Sequence, residues 1–132
     1  MPITFSKIKS GQSYSRPTLA ALWGYSSFHA IARGVVTPKG QDKIVLFVTE
    51  DKQASSEQYA DKLTEDELDW EGPNDHFAET RMLNAAEQAE EIHLFHRVRH
   101  HSDFTYVGQL DLIQSKLRVG SPSQFKFRVK TV

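Results

Sequence analysis

The side chains with chemistry to offer crowd into one stretch, Ile92 to Gly108 (IHLFHRVRHHSDFTYVG), where His93, His96, His100 and His101 stand among Arg97 and Arg99. Four imidazoles this close invite a metal; two guanidiniums invite phosphate. Spacing decides between them. Ile92, Leu94 and Val98 alternate with His93, Arg97 and Arg99, the period of a strand with one buried face. Three residues apart on a strand, His93 and His96 point to opposite faces. His96 and His100 share a face but stand roughly 13 Å apart at ~3.3 Å per residue. Ligands of one zinc must each bring a nitrogen to within ~2.0–2.1 Å of it, so a metal would need a bulge to re-aim a side chain. Arg97, Arg99, His100 and His101 read instead as a rim that donates to phosphate oxygens.

Two other sets of residues need weighing. Glu50-Asp51-Lys52 has the look of the tail of a metal-dependent nuclease motif. That chemistry needs a second, separate carboxylate so that two acids share a magnesium ion. The only acid before Glu50 is Asp42, at the far end of the same predicted strand. Neither a helical HExxH nor a glycine-rich phosphate loop is present, and no Ser, His and Asp are ordered as nucleophile and base. Catalysis is not expected here; a metal-dependent nuclease using Glu50, Lys52 and the histidines is the alternative. Trp70 stands beside Glu71 and near Asn74 and Asp75, and Tyr59 and Asp61 repeat the pairing of aromatic and acid. An extruded nucleobase needs that pairing, a ring to stack on and polar groups to read its edge. A core tryptophan beside a turn is the competing explanation of Trp70.

The elements that must position these groups follow from the pattern. Ser15 stands where a helix N-cap would, Pro17 suits the first turn, Leu19, Leu22 and Trp23 form an apolar face, and Gly24 ends it. Gly34 to Thr37 reads as a short strand and Ile44 to Val48 as a central strand covered on both faces. The tract from Glu50 to Glu67 is polar and loop-like. Leu68 and Trp70 alternate with Asp69 and Glu71 as a short strand. Asp75 to Ala89, with Phe77, Met82, Ala85, Ala86 and Ala89 at helical spacing, predicts a second helix. His100 to Asp103 turns the opening strand into Phe104–Val107, which runs on to Ile113, and Phe125, Phe127 and Val129 form a last strand. The segments IVLFVTEDK and IHLFHRVRH share Leu-Phe at similar places, as two central strands would in any case. About six strands and two helices, not strictly alternating, predict an α+β domain around a curved, mostly antiparallel sheet or small open barrel.

Composition bounds the rest. The chain has 132 residues, 39% of them apolar, which is one globular domain with a core of its own. It has no cysteine, so disulfides and thiolate metal sites are excluded. No apolar run approaches the ~20 residues of a membrane helix, nothing reads as a signal peptide, and the expected compartment is the cytoplasm. Net charge is −1, but residues 1–49 carry +5, residues 50–91 carry −11 and residues 92–132 carry +5. Two basic flanks that fold together can present a positive groove despite the neutral sum.

In order, YSRPTLAALWGY, RGVVTP, IVLFVTEDK, Tyr59-x-Asp61, LDWEGP, EIHLFHRVRHH and FTYVGQL resemble a domain found at the C-terminus of type IV restriction helicases that attack 5-methylcytosine DNA, and at the N-terminus of HNH-nuclease restriction proteins. The resemblance runs from about Phe5 to Val129. It implies a fold of the SRA and PUA group, a target-recognition module without catalysis or cofactor, and a duplex carrying a modified cytosine as partner. It further implies a missing nuclease domain, of the HNH type, through which a homodimer would form. Where helicase-fused relatives carry Trp-x-Ser-Gln, this chain has Trp70-Glu71-Gly72-Pro73, so the base that is read does not carry over; nor is a backbone change such as phosphorothioate set aside. The expected division of labour gives the DNA backbone to Arg97, Arg99, His100, His101, Lys52, Arg33 and Arg16. It gives stacking to Trp70, Tyr59 and Tyr25, and the exocyclic amine of the base to Asp61, Glu71, Asn74 or Asp75.

Overall fold

The structure, a computed structural model, describes residues 4–38, 40–51, 62–72, 77–99 and 102–130. Along the chain come β1 (Ser13–Tyr14), α1 (Arg16–Leu22), a 3-10 turn (Phe28–Ile31), β2 (Val35–Val36), β3 (Lys43–Asp51), β4 (Lys62–Thr64), β5 (Glu67–Glu71), α2 (Glu79–Leu83), β6 (Glu91–Arg99), β7 (Phe104–Lys116) and β8 (Gln124–Val129). They build one eight-stranded sheet in the order β2-β3-β6-β7-β8-β5-β4, with β1 added beside β7. Every pairing is antiparallel except that of β3 with β6. A parallel pair needs a long crossover, and here the crossover carries β4, β5 and α2. This is the α+β class with a curved, mostly antiparallel open sheet and two helices.

β7, at 13 residues, is longer than any neighbour can cover. Its first residues pair with β6 and β1, its last with β8. A register shift at Leu94/Phe95 and another at Leu112/Gln114 bend it as bulges do. The sheet curls until its distant strands meet: the Glu50 carboxylate of β3 accepts from the Leu63 amide of β4 at 3.1 Å. Inside the curl, Ile44, Leu46, Leu68, Trp70, Leu94, Phe125 and Phe127 pack with Met82 and Ala85, which α2 and the turns after it bring in. Outside it, Val45, Phe47, Phe95, Phe104 and Tyr106 pack under α1, the 3-10 turn and the N-terminal lead. Successive residues of β3 and β6 therefore serve opposite cores, and the continuous apolar run Ile44 to Val48 is covered on both faces, as its pattern predicts.

α1 forms for the reasons its sequence offers. The Ser15 hydroxyl accepts from the Thr18 amide at 3.2 Å, Pro17 needs no donor in the first turn, and Gly24 leaves with φ 79°. Leu19 and Trp23 are buried, and the Trp23 indole ties down the lead by donating to the Thr4 carbonyl at 2.9 Å. Leu22, expected on the buried face, is 44% exposed.

Other expectations are corrected. The helix predicted from Asp75 to Ala89 is continuous only over Glu79–Leu83; its start at Ala78 and the turn at Ala89 are left-handed, with φ 66° and 55°. The spacing of Phe77, Met82 and Ala85 marks which side packs inward, not an unbroken helix. β4 lies in the tract read as loop. His93, expected on the polar rim, is buried, and Val98, expected inside, is 56% exposed, because β6 outruns the core at its C-terminal end. Among the described residues no helix is long and apolar enough to cross a membrane.

Candidate functional site

β3 and β6 run parallel and finish together, and the groups with unspent chemistry gather where they end. On the outer face Arg97 donates from Nε to the Thr49 hydroxyl at 2.7 Å and from Nη1 to the Ser102 carbonyl at 2.9 Å. Its guanidinium lies over the Phe104 ring, 4.2 Å from the centroid. Arg16, at the start of α1, is drawn to the same place: it lies 4.8 Å from the Phe47 centroid and 4.9 Å from that of Phe104. Its Nη2 donates to the Arg33 carbonyl at 3.3 Å, while its Nε is buried with no acceptor. No carboxylate pairs with either guanidinium among the described residues. Burial, and then the charge of Arg97, push Arg16 down to about 10; burial lowers Arg97 as well. Arg99 stands exposed two residues further on.

On the inner face at the same end, His96 Nε2 meets Glu50 Oε2 at 2.5 Å, and that oxygen also takes the Leu63 amide. His93, on the outer face, is held differently. Its Nε2 donates to Glu91 at 2.8 Å, its Nδ1 accepts from the Tyr106 hydroxyl at 2.7 Å, and Phe5 stacks on it at 3.7 Å. A neutral imidazole satisfies both bonds. Burial lowers the His93 pKa against the opposing pull of Glu91 and raises that of Tyr106 to about 12. The two histidines thus occupy opposite faces, and no group of three His, Asp or Glu suited to a metal occurs among the described residues.

Two cavities matter to the expected base pocket. One, of about 430 Å³, is lined by Asp69, Trp70, Glu71, Gln114, Gln124 and Lys126 among others. A second, of about 230 Å³, lies between Tyr25, Arg33, Pro38 and Phe77.

Set against the expected site, the placement is mixed. Arg97, Arg16 and Arg99 share the end of the sheet; Arg33 lends Arg16 its carbonyl but turns its own guanidinium over Phe77, 4.5 Å from the centroid. Trp70 must be corrected. It is 5% exposed and packs on Phe125 and Phe127 inside the curl, opposite in face to Arg97. It lines the larger cavity as a buried side chain, because alternation along β5 turns Leu68 and Trp70 inward together. Glu71 lines the same cavity; Tyr25 lines the smaller one. Lys52, Tyr59, Asp61, Asn74, Asp75, His100 and His101 lie outside the described residues. Sequence reasoning missed Phe104 and Thr49 as the seat of Arg97, the Glu50–His96 contact, and Gln114 and Gln124. The shared Leu-Phe of the two central strands was the available signal for Thr49: Leu46 pairs with Leu94, Phe47 with Phe95 and Thr49 with Arg97.

Comparison with known proteins places this geometry. No curated protein matches the chain. Among solved structures it is similar to the SRA domain of SUVH5, solved in complex with fully methylated CG DNA, with a TM-score of 0.62 and 12% identity over 98% of this chain and 94% of that one. At that identity the likeness is one of fold. Residues 8–130 match the family DUF3427, described as a domain of unknown function. By that match across nearly its whole length, the chain belongs to the DUF3427 family and carries it on an SRA-like fold.

Proposed function

We propose that the chain is a DNA-binding module that reads a modified cytosine in a duplex, the recognition part of a modification-dependent restriction endonuclease, with cutting left to another domain. The observation that carries this reading is the Arg16–Arg97 pair, two guanidiniums that pair with no carboxylate among the described residues, on a fold like that of a domain seen bound to methylated DNA. Cations of this kind position a protein on phosphates without reading sequence. Reading belongs to a concave site. The cavity beside Trp70 is of the size of small-molecule sites, roughly 300–1,000 Å³, and its Gln114 and Gln124 amide oxygens and Glu71 carboxylate can accept from a cytosine N4 amine. A base extruded into it costs a few kcal/mol to unstack, and a pocket that rewards one methyl group discriminates by only ~1–3 kcal/mol.

The test is a titration of the chain against matched plain, 5-methylated and 5-hydroxymethylated duplexes at two salt concentrations. The expected outcome is tighter binding to one modified duplex, with all affinities falling steeply as salt rises. Equal affinity for all three removes modified cytosine from the reading. Addition of Mg²⁺ or Mn²⁺ to the same mixtures tests the recognition-only assignment, since cutting by the chain alone would overturn it.

A further inference from the structure

We infer that Arg16 and Arg97, both laid against Phe104, form a socket for one backbone phosphate that fixes where the protein sits on a duplex, rather than merely drawing DNA near. This rests on the DNA-binding reading above and sharpens it. Arginines withdrawn from water are ordinarily paired. These two come from different elements, α1 and β6, both lie against one aromatic ring, feel each other's charge, and pair with no carboxylate among the described residues. Arg97 is fixed by the Thr49 hydroxyl and the Ser102 carbonyl, which occupy Nε and Nη1; Nη2 has no acceptor among the described residues. Arg16 is fixed by the Arg33 carbonyl and holds its buried Nε without an acceptor. Such a site is already ordered, charged and short of acceptors.

A phosphate supplies what is missing: negative charge to relieve the repulsion, and oxygens spaced for a planar fork. A lysine ammonium cannot stack on Phe47 and Phe104 or present that fork, so the socket predicts that arginine is required, not merely a cation. Arg99, exposed and without a side-chain partner among the described residues, offers the opposite case, a charge with no seat.

Two measurements on the 132-residue chain test this. In the first, the melting temperature is compared in inorganic phosphate and in chloride at equal ionic strength. The wild type should gain stability in phosphate beyond chloride, and R16K and R97K should lose that gain; equal melting in the two salts overturns the socket without recourse to any variant. In the second, binding to plain and modified duplexes is measured for R16K, R97K and R99K. The first two should weaken both duplexes alike, by about tenfold or more, while R99K changes either by less than about twofold. Lysine serving as well as arginine at position 97 overturns the proposal. Should the chain bind no duplex while the phosphate gain persists and vanishes in the lysine variants, the socket stands and the DNA reading falls.

Discussion

Two histidines three residues apart on β6 each meet a glutamate, and their differences separate the two faces of the sheet. His93 is sealed: Glu91, Tyr106 and Phe5 enclose it, every ring nitrogen is used, and burial favours its neutral form. His96 sits at the end of the sheet, and its glutamate is shared with a backbone amide from a strand on the far side of the curl. The outer pair anchors the N-terminal lead; the inner pair holds two remote strands together. The same residue types three positions apart do unlike work because strand alternation sends them into unlike surroundings.

Substitutions can break that comparison, and the largest effect belongs to neither histidine. Trp70→Ala should cost about 3–5 kcal/mol of stability in a urea titration, as truncation of a buried aromatic does. If it stays folded at near wild-type stability and loses only discrimination between duplexes, Trp70 is a ligand wall and not part of the inner core. Glu50→Ala removes the charged acceptor of both His96 and Leu63 and should cost about 1.5–3 kcal/mol, which the same titration reads; a cost under ~0.5 kcal/mol would mean the curl does not depend on that contact.

His93 gives a pH dependence of definite sign. Its folded pKa lies below the ordinary histidine value of 6.5, so below 6.5 the unfolded chain takes up a proton that the folded one resists. Its contribution is whole above that pH and is lost as the pH falls through it, levelling once the folded pKa is passed. Melting temperatures from pH about 7.5 down to about 5 should show a decline that His93→Asn flattens. Asp42, Lys43, Glu91 and Tyr106 face this imidazole and must be kept intact in the comparison. An unchanged slope in the variant would assign the acid sensitivity elsewhere. Smallest of all, Arg99→Ala should alter stability by less than ~0.5 kcal/mol, while lowering the slope of log affinity against log salt by about 0.9 if that side chain neutralises one phosphate. A large loss of stability would show that Arg99 has a structural seat.

How far the chain was legible depends on what each feature needed. α1 was readable because capping is local: Ser15, Pro17 and Gly24 state its ends within ten positions of one another. The hairpin of β6 and β7 and the alternation in β8 were readable for the same reason. The interrupted second helix was not, since Phe77, Met82 and Ala85 pack inward equally well from a short helix followed by turns. Arg97 could be named as a candidate phosphate contact from its type, but not its seat on Thr49 and Phe104, which depends on a parallel pairing of residues 48 positions apart in sequence. Trp70 was ambiguous by nature: a tryptophan beside acids satisfies both a wall and a core, and only the direction of Leu68 beside it decides.

The contact between Glu50 and the Leu63 amide has a consequence for how the molecule can yield. Elsewhere neighbouring strands are joined by ladders of backbone bonds, and parting them means breaking several together. At this junction, among the described residues, the hydrogen bond across the gap comes from a side-chain carboxylate and not from a ladder, so the sheet closes there by a clasp over packed apolar side chains. Parting the two strands there would break that bond and the packing of Leu63 against the inner core, but no backbone ladder among the described residues.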